Sequence, residues 1–394
     1  MTRRRLRVLH VVHRLDYGGL QRLVRDIVTL ADRDRFDSHV MTMTQFGVFA
    51  EGLGAFAELH QDTSIPHVSM VWPASTIARI RSIAPDVVHT HSGVWYKASL
   101  AARRARVPWL VHTDHGRRHP DPWMARFLDR LAARRTDVVV AVSNTLRCQL
   151  ADTVVPDPSR IRVIVNGVDT RRFRPRPVDA MLRGELGLPR AGPLIGSVGR
   201  LDPIKAYDVM IRAFAALRAT WTEGPMPALV LVGDGPQRAR LARLIEEYGL
   251  QDVARLVGWR RDVEIVYRLL DVFTLSSRSE GTPLALLEAM STGVCPVVMD
   301  VGGCSAVLGE RLRHRLVPPG DPAALAEAWR AALARPDCRG ADGVVARERV
   351  EGAFGLEAMV RRYERLYVGE EDGEPDSAAR SALGAVAGVA GASR

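Results

Sequence analysis

Residues 194–218 read LIGSVGRLDPIKAYDVMIRAFAALR, and this stretch carries the fold in miniature. Leu194–Val198 is a short apolar run of strand length, whereas Tyr207–Arg218 spaces its apolar residues three and four apart, as one face of a helix does. Between them Gly199–Lys205 holds Gly, Pro and charge, which is loop chemistry. Strand, loop and helix in alternation build a parallel sheet with crossover helices. The alternation extends both ways along the chain. Upstream it predicts strands at Arg7–Val12, Ser38–Met43, Asp86–Thr90, Trp109–His112, Asp137–Val142 and Ile161–Val165. From residue 194 the pattern starts over, with further strands at Ala228–Val232, Ala254–Val257, Asp271–Leu275, Pro296–Met299 and Arg315–Val317 and a helix at Arg238–Tyr248. The expectation is an α/β protein of two doubly wound parallel-sheet domains facing a central cleft, where ligands of such sheets bind.

Length agrees, because 394 residues exceed what one core usually organises. Apolar residues at 47% and charged residues at 25% are the proportions of a folded protein. Arg171–Gly192, rich in Arg, Pro and Gly, reads as a linker, so the domains are expected at 1–178 and 179–369 with the boundary near Asp179. Phe354–Tyr367 reads as a final amphipathic helix and a candidate to pack back on the first domain. Residues 370–394, acidic and then Ala/Gly/Ser-rich, read as a flexible tail.

Charge is unevenly spread. Residues 1–178 hold 28 Lys/Arg against 16 Asp/Glu, a net of +12, which leaves −2 for the remainder of a chain whose total is +10. The basic half calls for an anionic partner, such as an acidic lipid surface or a phosphorylated acceptor. Nucleic acid is not expected, because no zinc-finger spacing, aromatic RNA-binding motif or basic helix with heptads accompanies the charge. No run reaches the roughly 18–20 apolar residues that span a bilayer, so membrane contact is expected to be peripheral. Cys148, Cys295, Cys304 and Cys338 form no CxxC pair, which points away from a disulfide scaffold or metal site and toward a reducing cytoplasm.

The most informative motif is Glu280-Gly281-Thr282-Pro283-Leu284-Ala285-Leu286-Leu287-Glu288, after Ser276-Ser277-Arg278-Ser279 at a strand end. Thr282 is a natural N-cap and Pro283 a natural first helical residue. A helix starting here would aim unpaired amides at a phosphate. Glu280, just before it, can accept hydrogen bonds from sugar hydroxyls, and Glu288, set in an apolar helical run, needs a buried donor that a ribose diol supplies. A capped surface helix with an incidental Glu would read the same way locally. Arg200 and Lys205, after one strand and before a helix, are placed to neutralise a diphosphate leaving group, unless they are a solvated surface pair. Gly18 and Gly19, within Tyr17-Gly18-Gly19-Leu20-Gln21, follow the first strand and let backbone amides approach a phosphate or sugar. His115, in His112-Thr113-Asp114-His115-Gly116, is at another strand end; His89, His91 and His112 read as strand-end residues. Asp32-Arg33-Asp34 reads as a solvated turn, and no metal ligand set is assigned.

Together these segments resemble retaining glycosyltransferases of family four, which have the GT-B fold of two Rossmann-like domains. Glu280 and Glu288 match the Glu-x7-Glu motif, Gly199–Lys205 the diphosphate-binding loop, Gly18-Gly19 a loop at the donor diphosphate and the acceptor side, His115 the histidine beside the transferred sugar, and Asn166-Gly167-Val168-Asp169 the turn before the linker. The likeness runs from Val8 to about Tyr367. It implies transfer of a UDP- or GDP-linked sugar with Glu280, His115, Arg200 and Lys205 as catalytic residues. Donor binding would add Gly18, Gly19, Gly258, Trp259, Gly281, Thr282, Pro283, Leu284 and Glu288, with no cofactor or metal. Thr282 and Leu284 depart from the aromatic and Asn often found there, which bears on donor sugar identity. The cast is that of bacterial exopolysaccharide or capsule transferases, with a saccharide or lipid-linked acceptor. A sugar epimerase of the same fold and a non-catalytic nucleotide-sugar-binding scaffold are the competing readings.

Overall fold

The computed structural model describes residues 4–16, 18–62, 72–116, 122–177 and 181–370. Tyr17, the boundary expected at Asp179 and the tail beyond Glu370 lie outside the described residues. The described chain forms two units. One comprises residues up to Asn166 together with those from Glu357 onward, and the other runs from Gly167 to Leu356. The final helix, Leu356–Tyr367, thus lies almost wholly in the first unit.

The first unit holds a seven-stranded sheet: β1 Leu6–Val12, β2 Phe36–Thr42, β3 Glu58–Gln61, β4 Val87–His91, β5 Trp109–Asp114, β6 Val138–Ala141 and β7 Ile161–Val163. Its order is β3-β2-β1-β4-β5-β6-β7, and every neighbouring pair is parallel. The second unit holds a six-stranded sheet: β8 Leu194–Val198, β9 Ala228–Val232, β10 Ala254–Gly258, β11 Val272–Leu275, β12 Cys295–Met299 and β13 Leu316–Val317. Its order is β10-β9-β8-β11-β12-β13, again all parallel. Both are Rossmann-like α/β sheets. In each, the chain adds strands outward on one side and then returns to the other side of its first strand. The order therefore reverses between β1 and β4, and between β8 and β11. At such a point successive crossovers leave toward opposite faces, and a crevice opens at the carboxyl ends of the two strands.

Buried apolar residues explain why the strands hold. All five residues of β9, Ala-Leu-Val-Leu-Val, are buried, as a strand covered on both faces requires. In the second unit Met210 and Phe214 of the helix Tyr207–Ala219 pack in one cluster with Leu229, Val297 and Trp329. In the first, Leu9, Val11 and Met41 pack with Ile77 and Ile80 of the helix Ala74–Ile83.

Two sequence expectations need correction. β3 was not predicted, because Glu58-Leu59-His60-Gln61 is short and has no apolar run; it is an edge strand with exposed ends and a partly buried middle. The helix read at Thr282-Pro283 starts at Leu284, with Pro283 in the cap position at φ −72° and ψ 110° and without a side-chain cap bond. That extended ψ places Pro283 outside the helix. No helix of the described residues is long and apolar enough to cross a membrane, and all four cysteines are free.

Trp329 is fully buried and its indole N–H donates to Thr274 Oγ1 at 3.2 Å. Replacing it with alanine leaves a large cavity and an orphaned hydroxyl, so urea unfolding is expected to show a loss of about 3–5 kcal/mol. A loss below about 1 kcal/mol would show that Trp329 does not anchor the core.

Candidate active site

The carboxyl ends of β8 and β11 meet the reversal point of the second sheet, and two charged side chains from the loops that follow them are in contact there. Lys205 Nζ donates to Glu280 Oε1 at 2.7 Å, and Ser277 Oγ donates to the same oxygen at 2.6 Å. The Glu280 side chain is 8% exposed and that of Lys205 25%, so the pair is largely withdrawn from water. Burial disfavours the Lys205 ammonium, yet the Glu280 carboxylate and its hydrogen bond outweigh that and hold the lysine pKa above its usual value. The local fold forces this placement. Ser276 Oγ donates to the carbonyls of Lys205 and Ala206, and the Arg278 N–H donates to the Ile204 carbonyl, which ties the two loops together. Gly302 sits at φ +55°, and a Cβ there would lie 1.7 Å from the Glu280 carbonyl oxygen. Only glycine lets that backbone pass so close behind Glu280.

The neighbouring strand ends line up beside this pair. The Gly199 N–H donates to the Val232 carbonyl and the Gly233 N–H to the Gly258 carbonyl, so the ends of β8, β9 and β10 form a row of glycine backbone that ends at the half-exposed Trp259. Gly233 holds φ +140°, with the Gly199 carbonyl oxygen 2.0 Å from where a Cβ would stand. Arg200 extends from this row into solvent, 3.5 Å from Asp202. Gly281 and Thr282 lead into the helix Leu284–Ser291, whose first amides, those of Leu284 and Ala285, have no acceptor among the described residues. They give the loop a positive end. Further along that helix Glu288 is buried and accepts from the Tyr267 hydroxyl at 2.7 Å. Tyr267 thus supplies a donor that sequence reading did not foresee.

The first unit builds a different chemistry at its own reversal point. Gly18 precedes the helix Gly19–Leu30 and its carbonyl accepts from the Arg22 N–H. Beside it, the parallel register sets His10 of β1 opposite His89 of β4. His10 Nδ1 lies 3.3 Å from His91 Nε2, and His91 Nδ1 lies 3.3 Å from His115 Nε2, so three imidazoles form a chain that ends at the carboxyl edge of the sheet. His89 packs against His91 with ring centroids 4.0 Å apart and is held by the Tyr367 hydroxyl at 2.7 Å and Thr113 Oγ1 at 2.8 Å. His91, read from sequence as a strand-end residue, therefore touches His115 directly. His112 is turned elsewhere, bonded to Thr90 and stacked on Trp95 at 3.8 Å. Burial pushes His10 and His115 down to about 3 and His89 and His91 well below their usual range, which keeps all four neutral near pH 7. The His115 N–H is anchored to Ser92 Oγ at 3.1 Å, and its Nδ1 has no partner among the described residues. Asp32 forms a turn, its carboxylate accepting from the Asp34 N–H.

Two family models match the chain consecutively: "Glycosyltransferase Family 4" over residues 17–172 and "Glycosyl transferases group 1" over residues 180–341. The chain belongs to the family-four-like glycosyltransferases of the GT-B fold. Among curated relatives, D-inositol 3-phosphate glycosyltransferase of Salinispora arenicola is 33% identical over 229 residues, 55% of this chain and 50% of that protein. N-acetyl-alpha-D-glucosaminyl L-malate synthase of Bacillus anthracis is 28% identical over 240 residues, 61% of each chain. The alignments with these family members thus span about half to three-fifths of their length. Among solved structures, Anabaena HepE in complex with UDP and glucose superposes with a TM-score of 0.79 at 20% identity, covering 92% of this chain and all of that one. Sucrose-phosphate synthase from Thermosynechococcus elongatus gives 0.75 at 22% identity, over 93% and 99% of the two chains.

The neutral histidines make stability depend on pH in one direction. Each binds a proton more readily unfolded, near pH 6.5, than folded. Their contribution is complete above about pH 6.5 and is lost as pH falls below it, by up to about 1.4 kcal/mol per pH unit per histidine, the loss from His10 and His115 running down to about pH 3. Urea unfolding between pH 7.5 and 4.5 should show this decline, and His10→Gln should make it shallower. An unchanged slope in that variant would show that His10 is protonated in the native state.

Proposed function

We propose that this protein transfers a sugar from a nucleoside diphosphate to an anionic acceptor with retention of anomeric configuration. The observation that carries the reading is the Lys205–Glu280 contact at the reversal point of the second sheet. A diphosphate requires cations and free N–H donors, and a sugar requires carboxylate acceptors; the loops after β8 and β11 offer both within one short stretch. Lys205 keeps two of its three N–H donors beyond the one given to Glu280, and Arg200 is free to swing from Asp202 onto a phosphate. Both cations would stabilise the charge that develops as the diphosphate departs, which is where fixed electrostatic groups lower a barrier most. Glu280, held by Lys205 and Ser277, presents its other oxygen to sugar hydroxyls. Glu288 would take the ribose diol alongside Tyr267, and the Gly258-Trp259 end of the glycine row would face the base.

His115 takes part as a neutral imidazole. With Nε2 turned to His91, its Nδ1 is left for a sugar hydroxyl or a phosphate oxygen, as acceptor or donor according to the tautomer that His91 imposes. The basic first unit fits an acceptor with negative charge, such as a phosphate-bearing saccharide or lipid. The relatives named for D-inositol 3-phosphate and L-malate, both anionic, are in keeping with this. Assembly of an exopolysaccharide or glycolipid at a membrane surface is the setting in which such an acceptor would be met.

Glu280→Gln preserves size and the contact with Ser277 while removing the charge. With a panel of UDP-, GDP- and ADP-sugars and a phosphorylated acceptor, the variant is expected to lose about 100-fold or more in kcat; its circular dichroism stays near that of the parent, while its Tm falls because Lys205 loses its buried partner. Undiminished turnover in a folded variant would remove Glu280 from the chemistry.

A further inference from the structure

The edge of the first sheet gathers a second group of ligating side chains, on the strand that the sequence did not reveal. β3 pairs with β2 so that His39 stands opposite Glu58 and Met41 opposite His60. Alternation along the strands then puts His39, Glu58 and His60 on one face. His39 Nδ1 and His60 Nε2 are 3.0 Å apart, and the Glu58 carboxylate lies 3.6 Å from the first and 3.8 Å from the second. We propose that His39, His60 and Glu58 form a binding site for a divalent transition-metal ion of the zinc class, completed by water.

Donor atoms separated by 3.0–3.8 Å are spaced as the ligands of an ion bound at about 2.0–2.2 Å are. Two nitrogens and a carboxylate oxygen are a set that zinc accepts. The surroundings are those of a ligating imidazole. His39 Nε2 lies 3.4 Å from Asp37 Oδ2, which accepts from Arg7 Nε at 3.1 Å. A carboxylate on the far nitrogen fixes the ring and leaves the lone pair of Nδ1 toward the site. Both histidine side chains are at most 9% exposed, whereas Glu58 is 69% exposed, so an ion would enter from the Glu58 side. Arg79 is the adverse charge, close enough to act on His60; Glu58 and Asp37 oppose it. The buried trio His10, His89 and His91 suits an ion less well. Both nitrogens of His89 are held by Tyr367 and Thr113, and among the described residues no carboxylate joins the trio. An ion at His39 and His60 would clip the four-residue strand β3 to β2.

The test uses the full chain without a histidine tag, stripped with a chelator and titrated with zinc chloride by calorimetry and by competition with a chromophoric chelator. One zinc per chain is expected. His60→Gln and Glu58→Gln are each expected to weaken it about tenfold or more. Glu58 is exposed, so its variant keeps the proposal testable if His60→Gln fails to fold. The absence of binding at micromolar zinc would overturn the site. So would affinity unchanged in Glu58→Gln and His60→Gln, or binding abolished by His10→Gln and retained in His60→Gln.

Discussion

An ammonium and a carboxylate 2.7 Å apart, largely out of water, set the terms for the second unit. Neither group can be held there alone at modest cost, because removing one partner of a buried pair leaves an uncompensated charge worth about 3–5 kcal/mol. The loops after β8 and β11 are therefore fixed relative to each other, and the bonds from Ser276 and Arg278 repeat the same constraint in the backbone. The reversal of strand order provides the space, the row of glycines lets backbone approach it closely, and the pair supplies charge of both signs. A nucleotide sugar needs all three.

The first unit solves a related geometric problem without charge. Its reversal point, between β1 and β4, is lined by imidazoles that burial keeps neutral, bonded to one another and to hydroxyls from β5 and the final helix. Tyr363 and Tyr367 of that helix reach this core, which gives a physical reason for the chain to return to the first sheet after completing the second. On the proposed function, neutral donors and acceptors would position a hydroxyl-rich ligand without competing for its phosphate, whereas formal cations in the second unit would attract the phosphate directly.

Much of this was legible beforehand because parallel strands buried on both faces advertise themselves. β8 and β9 fall on the residues that their apolar runs mark, and most other strands shift by one or two. Glu280, Lys205 and Arg200 were singled out through loop chemistry and a family resemblance, and the structure brings the first two into contact. What was hidden depends on register. Nothing in the spacing of His10, His89, His91 and His115 says that they touch, since three strands must first be laid side by side. The bond from Ser277 to Glu280 and the parts taken by Tyr267 and Gly302 were hidden for the same reason. β3 was invisible because a four-residue edge strand without an apolar run leaves no periodic signal, and with it went the proximity of His39 to His60, 21 residues away. The start of the helix at Leu284 shows the limit of local rules: Thr-Pro is a common opening, yet ψ at Pro283 decided the boundary.

The account rests on the loops after β8 and β11 being a diphosphate site, and a crystal structure of the protein soaked with UDP or GDP tests that most directly. The diphosphate should lie within hydrogen-bond distance of Lys205 and the first amides of the helix Leu284–Ser291, with the ribose at Glu288. A nucleotide bound elsewhere in the second unit, with the Lys205–Glu280 contact unvisited, would contradict it.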